Sequence, residues 1–320
     1  MKLLRHAPLF ALLFILSRSA TAQPGPLEIP TVLDGALEQL RNGHYQEAIQ
    51  TAAASDNSAP VHPLSPLIVA EAYWGMIFCQ TGHITEHEIW NTADADRSPQ
   101  DEPFFEAVEE TLAASETLGE REPASAAVAD FYYGMAHAVR AQLYTLRGKV
   151  LESGREGKQM RAALLEAVRK NPALEPDAAA GLGAYNYYAD VLSPLLKLFR
   201  MLLLIPGGDR EAGLEQLRTA SQHAALLAPE ASLELARILG IREGRHREAL
   251  ALLQELAAQY PGNALYTLAA AYEAEKLGEK DAATQFAVKS AVSALEMDPP
   301  CRQRIAAAAT RAAARLQHAR

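Results

Sequence analysis

A chain of 320 residues, 49% hydrophobic and 22% charged, has ordinary globular composition and enough length to bury a large core. Its net charge of −9, from 30 basic and 39 acidic residues and without a basic stripe, argues against a nucleic-acid binder. Aromatic residues make up only 7%, alanine and leucine dominate and long β-branched runs are absent, so the composition favours helix over strand.

The first 22 residues read as a targeting segment. Lys2 and Arg5 form a basic start, residues 9–16 an apolar stretch, and Ala20-Thr21-Ala22 a cleavage site that leaves Gln23 first. Eight apolar residues are too few to cross a bilayer. Without Lys2, Arg5 and Arg18 the remaining chain carries 27 basic against 39 acidic residues, a net charge of −12. Export permits a disulfide between the two cysteines, Cys79 and Cys301, though two buried free thiols in helices fit equally well.

A Pro/Gly-rich lead-in then gives way to a helical hairpin, residues 31–40 and 45–55, around Asn42-Gly43. Pro60, Pro63 and Pro66 precede a helix over 67–80, and a short helix over 85–93 follows Thr81-Gly82. Residues 104–118 are amphipathic, with Phe105, Val108, Leu112 and Leu118 on one side. Pro123 starts the next helix at its first turn, and the pattern runs on to about residue 151. Further helices are expected over 158–170, 178–192, 195–205, 210–227, 230–241, 247–259, 264–277, 280–295 and 302–317, with proline or glycine at most junctions.

The chain is organised around residues 181–208, GLGAYNYYADVLSPLLKLFRMLLLIPGG. Residues 191–205 hold its longest apolar block, interrupted by Ser193, Pro194, Lys197 and Arg200. At about 1.5 Å per residue the block reaches roughly 22 Å, short of a bilayer core. Lys197, Arg200 and Leu204 share one narrow stripe, and every other face is apolar. Such a helix is expected to be interior, with the flanking hairpins packed around it. The alternative is a membrane-surface helix over Leu195 to Ile205, with Lys197 and Arg200 among the headgroups.

A repeat sits within this pattern. Gly244 and Gly278 are 34 residues apart, the tetratricopeptide period, and each has an alanine five residues on, Ala249 and Ala283. Pro261 follows Gly244 by 17, while Leu295 takes that place in the next copy. Gly43, Ala48 and Pro60 keep both offsets, whereas Gly82 and Pro99 keep the 17 but place His87 at the alanine. The glycine supplies the turn between helices, and the alanine lets them approach. The middle of the chain does not keep the period.

The middle instead carries Phe131-Tyr132-Tyr133-Gly134, Arg140-Ala141 and Arg147-Gly148, then GLGAYNYYADVLSP and LLIPGGDREAGLEQL. These resemble the tetratricopeptide-repeat protein 39 family and its bacterial relatives, over roughly residues 67–278. The resemblance implies an all-α solenoid used for protein interaction and not for catalysis. The expected divisions are residues 1–22, a targeting segment; 23–66, a hairpin and linker; 67–243, a central repeat region with the aromatic block; and 244–320, C-terminal tetratricopeptide-like repeats.

Few motifs could carry chemistry. His83-Ile84-Thr85-Glu86-His87 matches the inverted zinc-protease motif, in which two histidines one turn apart hold a metal and Glu86 acts as base. His83 follows the turn glycine Gly82, however, and no third ligand is identifiable. Gly181-Leu182-Gly183 lacks the later glycine and the preceding strand of a phosphate loop, and reads as close helix packing. Ser193 precedes a proline with no nucleophile elbow around it.

The expected fold is thus all-α, a tetratricopeptide-like helical-hairpin solenoid with a buried apolar central helix. The expected work is binding a protein or peptide in the periplasm, with no cofactor, metal or nucleic acid. Candidate contact residues are Arg237, Tyr266 and Tyr272 on the inner face of the C-terminal repeats, beside Glu234 and Glu273. Tyr185, Asn186 and Tyr188 form a second group that packs as core or faces a groove, with Tyr187 beside them. Arg140 and Arg147, seven apart on one helix face, bind a partner's acid or, more in keeping with an acidic chain, pair internally. The alternatives are the membrane-surface helix and a zinc hydrolase at His83, Glu86 and His87.

Overall fold

The computed structural model describes residues 27–55, 61–80, 96–202 and 204–318. These form fourteen α-helices and no strand. They are α1 (Asp34–Arg41), α2 (Tyr45–Ser55), α3 (Leu64–Gln80), α4 (Asp101–Arg121), α5 (Ala126–Leu146), α6 (Val150–Lys170), α7 (Glu175–Asp190), α8 (Pro194–Leu202), α9 (Arg210–His223), α10 (Ala228–Ile241), α11 (His246–Gln259), α12 (Ala264–Lys276), α13 (Lys280–Ser293) and α14 (Cys301–His318). Each helix packs on its neighbour in sequence, with one exception: α7 packs on α9, and α8 is looped out between them. The expected all-α array of helical hairpins is what the chain builds.

The repeat glycines do what their spacing suggests. Gly43, Gly244 and Gly278 sit at φ 81°, 64° and 76°, the left-handed region that suits glycine. A Cβ at Gly244 or Gly278 would meet nothing, so backbone conformation, not packing, selects glycine there. Ala48, Ala249 and Ala283 are fully buried at the crossing that each turn sets up. Gly148, at φ 69°, is a further such turn. It ends α5 at Leu146 and lets α6 begin at Val150, so the expected run to 151 and the expected start at 158 are both corrected. In this copy Ser153 takes the alanine's place and bonds to the Ala141 carbonyl at 3.1 Å.

The buried stripe of α4 is Phe104, Ala107, Val108, Thr111 and Ser115. The expected stripe was centred one position on, and of it only Val108 is fully buried; Phe105, Leu112 and Leu118 are half-buried. Thr111 and Ser115 can go inside because each hydroxyl donates to the carbonyl four residues back, at 2.8 and 2.7 Å.

The α7–α9 contact brings backbone against backbone. A Cβ on Gly213 would lie 2.6 Å from the Tyr187 nitrogen and 2.7 Å from the Gly183 oxygen. One on Gly183 would lie 2.9 Å from the Gly213 oxygen. Glycine is required on both helices because backbone faces backbone. Gly181 likewise admits Leu164, whose Cδ1 would be 2.7 Å from its Cβ. Below this contact the buried Asp177 carboxylate accepts from the backbone N–H groups of Ala225, Leu226 and Leu227 at 2.8–3.0 Å, fixing the entry to α10.

The array does not stay open. Tyr45 of α2 and Ala72, Met76 and Phe78 of α3 share one core with Leu265, Leu268 and Tyr272 of α12 and Ile305 of α14. Arg41 pairs with Glu230 at 3.1 Å and donates to the Leu226 carbonyl at 2.6 Å. The Asn42 side chain accepts from Gly262 N at 3.0 Å, and Asn263 donates to the Arg41 carbonyl at 3.0 Å. Cys79, at the end of α3, is disulfide-bonded to Cys301, at the start of α14, across 222 residues. The N-terminal hairpin therefore closes against the C-terminal repeats. The free-thiol reading of the two cysteines is corrected.

Candidate docking surface

The closure decides the fate of the expected contact residues. Tyr266 and Tyr272 are 7% and 6% exposed and Glu273 is 5% exposed: Tyr272 shares a core with the chain's own α2 and α3, and Tyr266 packs against Leu256, Ala257 and Tyr260. This corrects the expectation that Tyr266 and Tyr272 face a partner: buried side chains cannot be offered without opening the ring. Glu273 is held by His246 at 2.7 Å. Arg237 pairs with Glu234 at 2.7 Å, donates to the Tyr188 hydroxyl at 2.8 Å and lies over the Tyr188 ring. Sequence reasoning had put Arg237 and Tyr188 in separate groups; the fold brings them together as an internal unit.

The aromatic block is likewise mostly structural. Tyr187 is buried and its hydroxyl donates to Glu243 at 2.5 Å. Burial, with Glu243 beside it, pushes that phenol up to about 12. Asn186 donates to Gln216 at 2.7 Å. Tyr185 is half-buried, and its hydroxyl donates to the Pro206 carbonyl at 2.8 Å. Arg147 pairs with Asp101 at 2.6 Å with both side chains largely buried. Arg140 bridges Glu109 and Glu156, at 2.6 and 2.9 Å. Both arginines thus pair internally. Burial pushes the Glu156 carboxyl up, but the bonds from His137 and Arg140 outweigh it and hold it below the usual carboxylate range. His83, Glu86 and His87 lie outside the described residues. Among those described, no three His, Cys, Asp or Glu side chains cluster as a metal site would need.

Among the described residues, the exposed apolar stretches include Val288, Val292 and Leu295 in and just after α13, at 47%, 63% and 60%, and the more exposed α8. Leu198, Met201 and Leu202 are 52%, 69% and 70% exposed, and Leu204, just beyond the helix, is 79% exposed. This overturns the expectation of a buried apolar helix over 195–205; the buried central helix is α7, whose Gly181, Leu182, Gly183, Tyr187 and Ala189 face the core. The reason is geometric. The α7–α9 backbone contact leaves no room between them, so the intervening segment must leave the array.

Polar bonds hold the loop from below. Arg200 turns inward and donates to the Ala189 carbonyl at 2.5 Å, and Tyr185 fixes Pro206. Gly208 lies so close to the Asn186 carbonyl that no Cβ would fit. Lys197 reaches Asp190 at 3.8 Å, so Arg200 and Lys197 are not a shared outward stripe as their spacing suggested.

The end of α8 has an unusual residue. Ile205 N bonds to Arg200 O at 3.0 Å and Leu204 N to Met201 O at 3.1 Å. The same pair of bonds closes α1, α5 and α12, where the left-handed residue is Gly43, Gly148 or Gly278. Here it is Leu204, at φ 53°, the only non-glycine residue with positive φ among those described. Beside it Ile205 joins His137, Arg140, Arg155, Glu156 and Lys158 in lining an open pocket. Arg155 and Lys158, the two α6 cations among these, are exposed, and neither makes an ion pair among the described residues. Val150 and Leu151, 48% and 46% exposed, begin the same helix one turn below the Gly154–Ile205 contact.

Sequence reasoning missed Leu198, Met201, Leu202 and Leu204 as surface residues because it read an apolar helix as a core helix. The signal that could have found them is the pair of breakers, Ser193-Pro194 and Pro206-Gly207-Gly208, which set residues 195–205 apart from the helices on either side.

No protein-family model and no curated protein matches the chain. Among solved structures, the crystal structure of yeast Tom70 aligns over 90% of this chain and 82% of that one, at 12% identity and a TM-score of 0.28. A likeness that weak carries no argument, and the assignment of tetratricopeptide-like hairpins rests on the helix pairing and turn geometry above. The narrower resemblance to the tetratricopeptide-repeat protein 39 family is not supported by a family match.

Proposed function

We propose that this chain is an exported, non-catalytic binding module of the cell envelope that docks through the outer face of α8. The observation that carries this reading is the exposure of Leu198, Met201, Leu202 and Leu204 on one short segment anchored from below by polar bonds. An exposed apolar ridge of this kind marks an interaction site, and its side chains are more exposed than those of the α13 stretch, Val288, Val292 and Leu295. The concave face, the usual binding surface of an open repeat array, is occupied by α2 and α3. Export is supported by the basic and apolar N-terminal pattern and by the Cys79–Cys301 disulfide, a bond that persists in oxidising compartments.

The test is co-sedimentation with washed cell envelopes. The wild-type chain should sediment, and a Leu198→Asp/Leu202→Asp double variant with an unchanged melting temperature should stay in the supernatant. Equal sedimentation by the folded variant overturns the assignment of α8.

A further inference from the structure

We infer that the surface α8 meets is an anionic lipid bilayer, into whose headgroup region Met201, Leu202 and Leu204 insert while Arg155 and Lys158 face the lipid phosphates. This rests on the docking role of α8 and names its partner. Three independent features of the segment point the same way.

The first is shape. Side chains 69–79% exposed stand proud of the surface. A protein partner reads an apolar ridge through a matching cleft, whereas a bilayer interface takes such a ridge without one. The helix is nine residues long and no described helix is long and apolar enough to cross a membrane, so α8 would lie in the interface plane.

The second is Leu204. Three other helices of this chain end on a glycine in the same left-handed turn. A leucine there costs backbone energy that glycine avoids, and its side chain returns nothing to the core because it is 79% exposed. Glycine would serve the fold better, so the leucine serves something outside the fold.

The third is charge. Most arginines in the middle of the chain are tied to carboxylates, but Arg155 and Lys158 are exposed without an ion pair among the described residues. They project from α6 at the pocket that Ile205 lines, beside the end of the ridge. Glu152 is exposed on the same helix, one turn from Glu156, and Glu156 is bonded to His137 and to Arg140, which also holds Glu109. The cations next to the ridge are therefore available to anionic headgroups despite the acidic chain as a whole.

Flotation of the purified, disulfide-bonded chain with lipid vesicles tests this without any envelope protein. The chain should float with phosphatidylglycerol-containing vesicles at low salt, and much less with phosphatidylcholine alone or at high salt. Leu204→Gly should melt at or above the wild-type temperature, because it relieves the turn, and yet bind vesicles several-fold more weakly. Arg155→Glu/Lys158→Glu should weaken binding to anionic vesicles at least about tenfold. Failure of the wild type to float with any vesicle overturns the lipid assignment; if it still sediments with envelopes, α8 docks on a protein and the broader reading stands. Undiminished flotation of Leu204→Gly, or equal flotation on neutral and anionic vesicles, also overturns it.

Discussion

The α7–α9 contact allows a sharp test of the packing argument, because two glycine-to-alanine changes should have opposite signs. Gly213→Ala places a methyl 2.6 Å from the Tyr187 nitrogen and 2.7 Å from the Gly183 oxygen, where ordinary contact begins at 3.4 Å. The shortfall is against backbone on the facing helix, so no side chain can swing aside and the helices must separate. Overpacking of this kind costs about 1–3 kcal/mol, partly offset by the gain of up to about 1 kcal/mol when alanine replaces glycine in a helix. A net loss of about 1–2 kcal/mol is expected, or roughly 2–3 °C in melting temperature for a chain of about 300 residues. Gly157→Ala, mid-helix in α6, is the control. Its methyl would sit 3.5 Å from the Tyr185 ring, an ordinary contact, so only the helix gain of about 0.5–1 kcal/mol should remain. Thermal melts followed by circular dichroism read both. The reasoning fails if Gly213→Ala melts at or above the wild type while Gly157→Ala behaves as stated, since the helices would then not be in backbone contact.

Three further changes probe other parts of the molecule. Cys301→Ser opens a closed loop of 222 residues, worth at most about 5 kcal/mol by chain entropy; the melting temperature should drop, reductant should reproduce the drop in the wild type, and a reductant-insensitive melt would rule out the bond as a clasp. Leu202→Asp should leave stability within about 0.5 kcal/mol of wild type because the side chain is 70% exposed, and an unfolded variant would return α8 to the core. Burial, with Glu230 adding to it, pushes the Glu71 carboxyl from 4.5 up to about 8. A carboxyl raised on folding binds more protons folded than unfolded, so its stabilising contribution is full below the unfolded value and is lost as pH rises through about 8. Glu71→Gln should accordingly melt progressively above the wild type as pH climbs across that window, and parallel curves for the two would contradict it.

The sequence was most legible where local chemistry acts alone. Gly43, Gly244 and Gly278 mark turns that only a positive φ can make, and their alanine partners are buried as the spacing implies. Gly148 makes the same turn but was passed over, because Ser153 stands where the pattern has alanine and a hydroxyl bond replaces simple closeness. The glycines of α7 were read as close packing, and they are, but their partner Gly213 lies in a helix that looks unremarkable by itself. Tyr272 could not be placed by its own repeat, since its core includes Tyr45, Ala72 and Met76 from some two hundred positions earlier, whereas Tyr266 packs locally, against Leu256, Ala257 and Tyr260 of the preceding hairpin. The position of α8 was misread for a related reason. Hydrophobicity reports that a side chain avoids water, but not whether the chain itself or another surface provides the shelter.

The join between the first hairpin and the last repeats gives the molecule an order of assembly. Helices α1 to α3 emerge first from any synthesis or export machinery, yet Tyr45, Met76 and Cys79 meet Tyr272, Ile305 and Cys301 only when the final helix has arrived. An open solenoid can begin folding at one end and can fray from either. Here neither end is free, so the first helices wait with apolar surface uncovered and the last ones complete them. A chain cut short by even its final helix would lose the partner of Cys79 and expose the opposite end of the array. The described helices are therefore tied into a single unit that closes, or comes apart, together.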